Sequence, residues 1–431
     1  VNGAPDPAIS GARELFGFDP ERVACPYPTF AAMRANAPVA WFDELEGFAV
    51  TGYDLIVEVL RRPDIFSSRS ATGPAAERRL MTVMAELAAE DPEIAGLAMQ
   101  LMTDASAAVL LQADPPEHPR QRGLVNRAFS PAAIRRIEPE IEALAHQLID
   151  AFVDRERAEL ISEFAIPLPM TVIGKAVGVP LDRMDDFMHW SKTLVAGVGA
   201  RELEKADVAS LLRTRAAVAE YLLSLVAERT GRPEDDLVSV LLQAEIDGER
   251  LTPAEIVSML VQFLLAGNHT TAMLIATAML RLADDPQLSD RLRADTALLA
   301  PFVEEVLRVQ PPINGTYRVA DVDSELAGVH IPKGSALWLV YAAANRDPEQ
   351  FPDPDDFQCP QQSNVPHLTF GFGAHFCLGA SLARAEGRIA IGALLARCDE
   401  IRLGVEPSEL AYDPSFMLHG LQALPLTFRA R

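Results

Sequence analysis

The chain has 431 residues, 49% of them hydrophobic, and a formal net charge of −23. That length is enough for one large core or two ordinary domains, and so acidic a balance argues against nucleic acid and anionic membrane as partners. The four cysteines (Cys25, Cys359, Cys377, Cys398) have no C-x-x-C spacing, and no long uncharged apolar run or basic leader occurs. A zinc site, a disulfide framework and a membrane span are therefore not expected, and a soluble, reduced, cytoplasmic protein is.

Residues 1–20 are small, polar and Pro-containing, and read as a loosely held arm. Pro26-Tyr27-Pro28 starts a helix through Arg34. Val39–Phe42 and Gly47–Thr51 alternate around an acidic turn as a hairpin, and Tyr53–Arg62 is a short helix. Residues 67–112 begin Ser-, Ala- and Gly-rich and turn helix-like at Leu80–Leu87 and Ile94–Met102. So long a connection is either a surface insertion or a lid. The lid is the preferred reading, with Met99, Met102, Val109 and Leu110 on its inner face. Asp114-Pro115-Pro116-Glu117 opens a helix that puts His118 and Arg122 on one face. From 118 to 136 there are five arginines (Arg120, Arg122, Arg127, Arg135, Arg136) and no acid. In an acidic chain this is a docking surface for an acidic partner, or else a solvated face. Helices follow near 131–153, 168–178, 182–197, 202–229 and 235–244, with breaks at Gly197, Gly199 and Gly231-Arg232-Pro233. The pair around 182–229 forms the other half of the lid.

Thr252-Pro253-Ala254-Glu255 is a capping box with proline at the first helical position. The apolar pattern then runs to about Leu282, roughly 45 Å of helix at the usual rise. Being apolar almost all round, it belongs inside the core. Its one polar cluster is Asn268-His269-Thr270-Thr271, behind Ala266-Gly267. Buried polar groups cost stability unless they are used, locally by back-bonding of Thr270 or by a site. Glu305 and Arg308 share a helix face three residues apart, a pair that counts for little when exposed. Pro311-Pro312 stops that helix, strands follow at 329–331 and 335–340, and a Pro-rich meander covers 345–354. The tip Pro414–Leu418 is either a plug on the core or a cavity wall.

Phe370-Gly371-Phe372-Gly373-Ala374-His375-Phe376-Cys377-Leu378-Gly379 is the most distinctive stretch. Glycines let the backbone take positive φ, so Cys377 is presented on a tight loop ahead of a helix over Leu378–Ala396. A helix N-terminus favours a thiolate. The string Phe-x-x-Gly-x-His-x-Cys-x-Gly resembles the haem-ligand signature of the cytochrome P-450 family, the haem-thiolate monooxygenases. The resemblance spans about Pro26 to Phe428. It implies a mainly α fold with a small β region, the triangular-prism P-450 fold, as a single domain over 21–431. Haem b then lies between the long helix and the Cys377 loop, with Cys377 as metal ligand and Phe370, His375 and Gly379 shaping the loop around it.

By the same resemblance His118, Arg122 and Arg318 bind the haem propionates, and Glu305 with Arg308 locks the core behind the loop. Gly267 leaves room for O2, and Thr270 hydrogen-bonds the reacting oxygen. His269 stands where the motif usually has an acid; histidine titrates near neutrality, so proton delivery changes. The implied pocket (Leu264, Ala266, Ile313, Asn314, Phe416, Met417) has no fixed positive charge, which favours a steroid- or terpenoid-like substrate. Electrons are implied to come from NAD(P)H through a ferredoxin or flavodoxin docking near Arg120, Arg127, Arg135 and Arg136. One departure stands out: the arginine that often completes the Glu-Arg lock is replaced by Gln361, with His367 as a possible substitute donor. A peroxide-driven enzyme and a non-catalytic haem sensor are the alternative readings of the same motifs.

Overall fold

The computed structural model describes residues 7–104, 108–196 and 204–431. Thr252 caps the long helix as its sequence predicts: Thr252 Oγ1 accepts the Glu255 N–H at 3.2 Å, and Glu255 Oε2 accepts the Thr252 N–H at 2.8 Å. The helix runs Pro253–Asp284 over 32 residues. By composition it is the one helix among the described residues that could span a membrane, but 67% of that window is buried inside the protein. Its first half packs with Ile173, Leu222 and Leu241, and its second half with Phe164, Phe302 and Ile391. The two largest core clusters therefore share this one axis.

The sheet that flanks the site has the strand order Val39–Phe42, Gly47–Val50, Ala336–Leu339, Thr316–Ala320, Phe66–Ser67. Gly47–Val50 and Ala336–Leu339 pair in parallel and the other neighbours are antiparallel. Both parallel strands are buried throughout, so they are apolar on both faces rather than alternating. Leu337 pairs with Arg318 and Trp338 with Tyr317, so Arg318 and Tyr317 point to opposite faces.

The expected arm is a correction. Pro7–Phe16 is a helix, and Ala12, Leu15 and Phe16 are buried. Phe16 meets Phe42, Trp338 and Phe416 edge-on with ring centroids 5.0–5.6 Å apart. Three apolar residues at helical spacing were enough to dock a segment whose composition reads as loose.

The 67–112 region forms two helices, Pro74–Glu90 and Pro92–Asp104, longer than the sequence pattern suggests. Met84, Ile94 and Ala98 pack on Val208 and Leu212 of the Lys205–Gly231 helix. Exposed ion pairs edge this contact, Lys205–Glu90 at 2.8 Å and Arg213–Glu93 at 3.1 Å. The two lid halves thus rest on each other. Val109 and Leu110 are buried as expected, but Met99 is 72% exposed and does not face inward. The Met102 side chain and the break at Gly197 and Gly199 lie outside the described residues.

Glu305 and Arg308 sit on the Leu299–Val309 helix and are 0% and 2% exposed, so the pair is not the minor surface contact its spacing alone suggests. Their contact is bidentate at 2.7 and 2.8 Å. Arg308 also donates to the carbonyls of Asn345, Pro354 and Asp356, tying the meander to the core. Among the described residues no second cation pairs with Glu305 to complete the lock. The Gln358 backbone N–H donates to Glu305 Oε1 at 2.7 Å and satisfies it instead. His367 does not substitute: its Nε2 lies 3.3 Å from Oε2 of Glu304, not of Glu305, and shares that carboxylate with Arg384 at 2.7 and 2.8 Å. Breaking one partner of a buried pair strands a charge. Arg308→Ala is therefore expected to lower stability by about 3–5 kcal/mol in chemical denaturation. A loss below about 1 kcal/mol would show that the pair is not a lock.

Candidate active site

The Cys377 loop closes through its own backbone: the Cys377 N–H donates to Phe370 O at 2.8 Å. Gly371 and Gly373 both have φ of 72°, and a Cβ on Gly373 would stand 3.0 Å from Leu60 O. Only glycine meets both demands. Gly379 has φ of −83°, so its place is different; it precedes the Ala380–Arg397 helix, and a Cβ there would stand 4.0 Å from Cys377 Sγ. Arg384 lies over the Phe370 ring at 4.5 Å, which fixes that ring beside the loop.

Cys377 is exposed, yet surrounding protein bulk pushes its thiol up, against the N–H groups of Gly379 and Ala380 and the guanidinium groups of Arg122 and Arg384. The sulfur therefore opens onto a cleft, not onto bulk water. The helix start expected to hold a thiolate does not prevail by itself; a bound metal cation is what deprotonates such a thiol.

Four basic side chains from three segments, a helix, a strand and the loop itself, gather beside the cysteine. The His375 and His118 rings lie 3.9 Å apart at 33°, and His375 Nε2 is buried with no hydrogen-bond partner. Arg318 is 4% exposed, donates to Tyr317 O at 2.7 Å, and has no carboxylate partner among the described residues. Arg122 donates only to Asn126 Oδ1 at 2.9 Å. Burial, then the charges of Arg318, His118 and Arg122, push His375 down to about 3. Asp114 is the nearby acid, but Ser67 and the Ser68 N–H already engage it. Burial and the neighbouring guanidinium groups thus keep the two histidines from charging, and a buried guanidinium such as Arg318 without a counter-ion is costly. The cluster asks for an anionic ligand with more than one acceptor group, which is what the two propionates of haem supply.

Across the cleft Ala266 is exposed in the middle of an otherwise buried helix, and a Cβ on Gly267 would meet nothing within 4 Å. Thr270 donates to Ala266 O at 2.7 Å and Thr271 to Gly267 O at 2.9 Å. The back-bonding reading of Thr270 is thus correct as geometry, and it leaves the hydroxyl lone pairs available as acceptors. Asn268 turns away to Ser191 at 3.2 Å. His269 Nε2 stands 3.7 Å from Asp413 Oδ2, so a carboxylate from the C-terminal segment faces the position where the helix lacks one.

The pocket expectation needs correcting. Leu264 is buried in the helical core with Ile173 and Leu222. Asn314 is buried and donates its side-chain N–H to Phe416 O and its backbone N–H to Met417 O, pinning the tip. Phe416 packs on Phe16, Phe18 and Trp338, the plug reading, and Met417 is buried in the same cluster. Ile313 bridges Leu418. Of the six, Ala266 stands open on the long helix, and Phe416 and Met417 also line a cavity beside Phe16 and Tyr317, so the tip is both plug and wall.

A profile of the family described as Cytochrome P450 matches residues 71–419. The chain belongs to that family. It is 35% identical over 416 residues to Cytochrome P450 107B1 of Saccharopolyspora erythraea, covering 96% of this chain and 97% of that protein. Its structure is similar to that of the P450 CYP109E1 from Bacillus megaterium in complex with testosterone (TM-score 0.79, 31% identity, 93% of this chain and 99% of the other). It is likewise similar to P450BioI in complex with acyl carrier protein ligated to hexadec-9Z-enoic acid (TM-score 0.82, 30% identity, 95% and 99%). The P450 fold is mainly helical with a small β region, and the family uses haem b and O2, with NAD(P)H electrons arriving through redox partners.

Two acids at this P450 site escaped the sequence reading. Asp413 sits in an irregular stretch with no periodic signal. Glu386 had one: it is a lone acid on a helix face otherwise built of Ala385, Ile389 and Ala390. It is fully buried, its Oε1 has no partner, and burial, countered only by a hydrogen bond with Thr271, pushes it to about 8 from 4.5. Between those values the folded chain holds a proton that the unfolded chain releases, so stability falls as pH rises from about 4.5 to about 8. Glu386→Gln is expected to match the parent near the lower limit and to exceed it by several kcal/mol at the upper one, read by urea denaturation. Parallel stability curves would mean that the carboxyl is ionised in the fold.

Proposed function

We propose that this P450 monooxygenase inserts one oxygen atom from O2 into a C–H bond or alkene of an apolar substrate, with Cys377 as the residue that would hold the haem metal. The observation that carries this reading is the cluster of His118, Arg122, Arg318 and His375, without a counter-anion, around the cysteine loop. Bound haem supplies the O2 chemistry, and a thiolate ligand pushes electron density that favours O–O cleavage.

The chain's own residues do the rest. Cys377 holds the metal, the basic cluster holds the propionates, and the Phe370 ring packs beside the sulfur loop. Ala266 and Gly267 leave space on the long helix that would admit a small molecule such as O2. Thr270 offers a hydroxyl into that space. Its proton is already given to Ala266 O, so it accepts from a donor there and keeps a water in place. His269 relays protons from solvent toward Thr270, and Asp413 orients the imidazole across 3.7 Å. The paired lid helices limit water entry.

A ferredoxin or flavodoxin is proposed to dock at Arg127, Arg135 and Arg136, which are exposed and without ion pairs among the described residues. Arg120 leaves that surface, because it is engaged by Glu255 and lies 3.7 Å from Glu249. A cytoplasmic setting is proposed from the free cysteines. The substrate class is not narrowed by the two relatives above, one complexed with a steroid and one with an acyl carrier.

Reduced, CO-treated protein is expected to show the long-wavelength Soret band of thiolate ligation, and Cys377→Ser to abolish it. A serine variant that keeps both the band and turnover would overturn the assignment. Thr270→Ala is expected to keep NAD(P)H consumption while cutting product per NAD(P)H several-fold and releasing peroxide. Unchanged coupling would remove Thr270 from the proton path.

A further inference from the structure

The polar stretch of the long helix includes one group that the site does not use. Asn268 stands two residues on from Ala266 and two before Thr270, so at 3.6 residues per turn it lies on the side away from the open groove. It is 4% exposed. One turn back on its own face is Leu264, in one apolar cluster with Phe187 and Leu194 of the Met184–Ala196 helix. Ser191 is 2% exposed and lies four residues after Phe187 and three before Leu194, so it shares their face. Asn268 Nδ2 donates to Ser191 Oγ at 3.2 Å. The two side chains form a polar contact within an apolar joint between the lid and the long helix.

That contact is half complete. Asn268 Oδ1 is buried and has no hydrogen-bond partner among the described residues. Turned over, the amide would pair its oxygen and leave its nitrogen unmet instead. With the two helices apart, water satisfies both ends. With them together, Ser191 satisfies one. Leaving a buried polar group unmet costs more than a neutral hydrogen bond returns, so the amide opposes the closure that Phe187, Leu194 and Leu264 favour.

We infer that Asn268 is a positioning residue that holds the Met184–Ala196 helix near balance between closed and open over the groove, with Ser191 as its latch. Its neighbours fit that role. Gly267 accepts from Thr271 through its carbonyl, and His269 faces Asp413, so a shift of the lid helix reaches the turn that carries the groove. The role presupposes that 182–229 is half of a lid, as proposed above.

The test is hydrogen–deuterium exchange of the holoenzyme, followed on peptides from 184–196 and, as a fixed reference, from 274–282 of the long helix. In the parent chain the lid helix is expected to exchange at least tenfold faster than the reference. The two sides of the bond then predict opposite signs. Ser191→Ala strands the whole amide and should speed exchange in 184–196 at least threefold. Asn268→Leu removes the amide with little change of volume and should slow it at least threefold. Ser191→Ala added to Asn268→Leu should change nothing further. Ser191→Thr keeps the hydroxyl and should match the parent, which tests the bond even where Asn268→Leu does not fold. Loss of packing alone would speed exchange in both single variants, and that result would overturn the inference. A Ser191→Thr chain that behaves as Ser191→Ala would overturn it too. A parent lid helix that exchanges no faster than the reference would overturn lid and latch together, whereas variants that shift alike on a lid that does open would overturn the latch only.

Discussion

The buried guanidinium of Arg318, without a carboxylate partner among the described residues, is the constraint on which the site depends. Arg318, His118, Arg122 and His375 reach one place from a strand, a helix and the cysteine loop, and the nearby acid is already engaged by Ser67 and Ser68. Such an arrangement is stable in company with an anion. In the reading proposed above, haem would bring anionic groups to the cluster and a metal to Cys377 at once. The loop and the cluster would then be two halves of a single binding event, with the metal lowering a thiol that burial raises.

The rest of the fold keeps those halves in register. Arg308 spends its donors on Glu305 and on three meander carbonyls, so the chain leading into the cysteine loop cannot drift. The place of the absent second arginine is filled by a backbone amide, which satisfies the same oxygen without burying another charge. On the opposite wall the long helix gives up polar exposure only around Ala266–Thr271. There the side chains diverge: Asn268 goes to Ser191, His269 to Asp413, and the two threonines to their own helix.

The lid carries a different charge logic from the core. Two of its cations pair across the joint between its halves, at Lys205–Glu90 and Arg213–Glu93, and both pairs are exposed to solvent. Such pairs add little stability each, so they align the two halves more than they bind them.

The linear order of residues settled the family, the cysteine loop, the capped long helix and the hairpin, because each rests on contacts among near neighbours: a turn, a cap, a repeat of 3.6 or of two. Composition failed at Pro7–Phe16, where three apolar residues outweighed a polar background once Trp338 and Phe416 gave them a surface. Pocket lining failed for Leu264, since which way a side chain faces depends on the partner across it. Burial of the Glu305–Arg308 pair, the meeting of His269 with Asp413, and the isolation of Glu386 were decided by tertiary structure alone. Each joins groups far apart in the chain or removes water from around one, and neither separation in space nor local dielectric is written in local sequence.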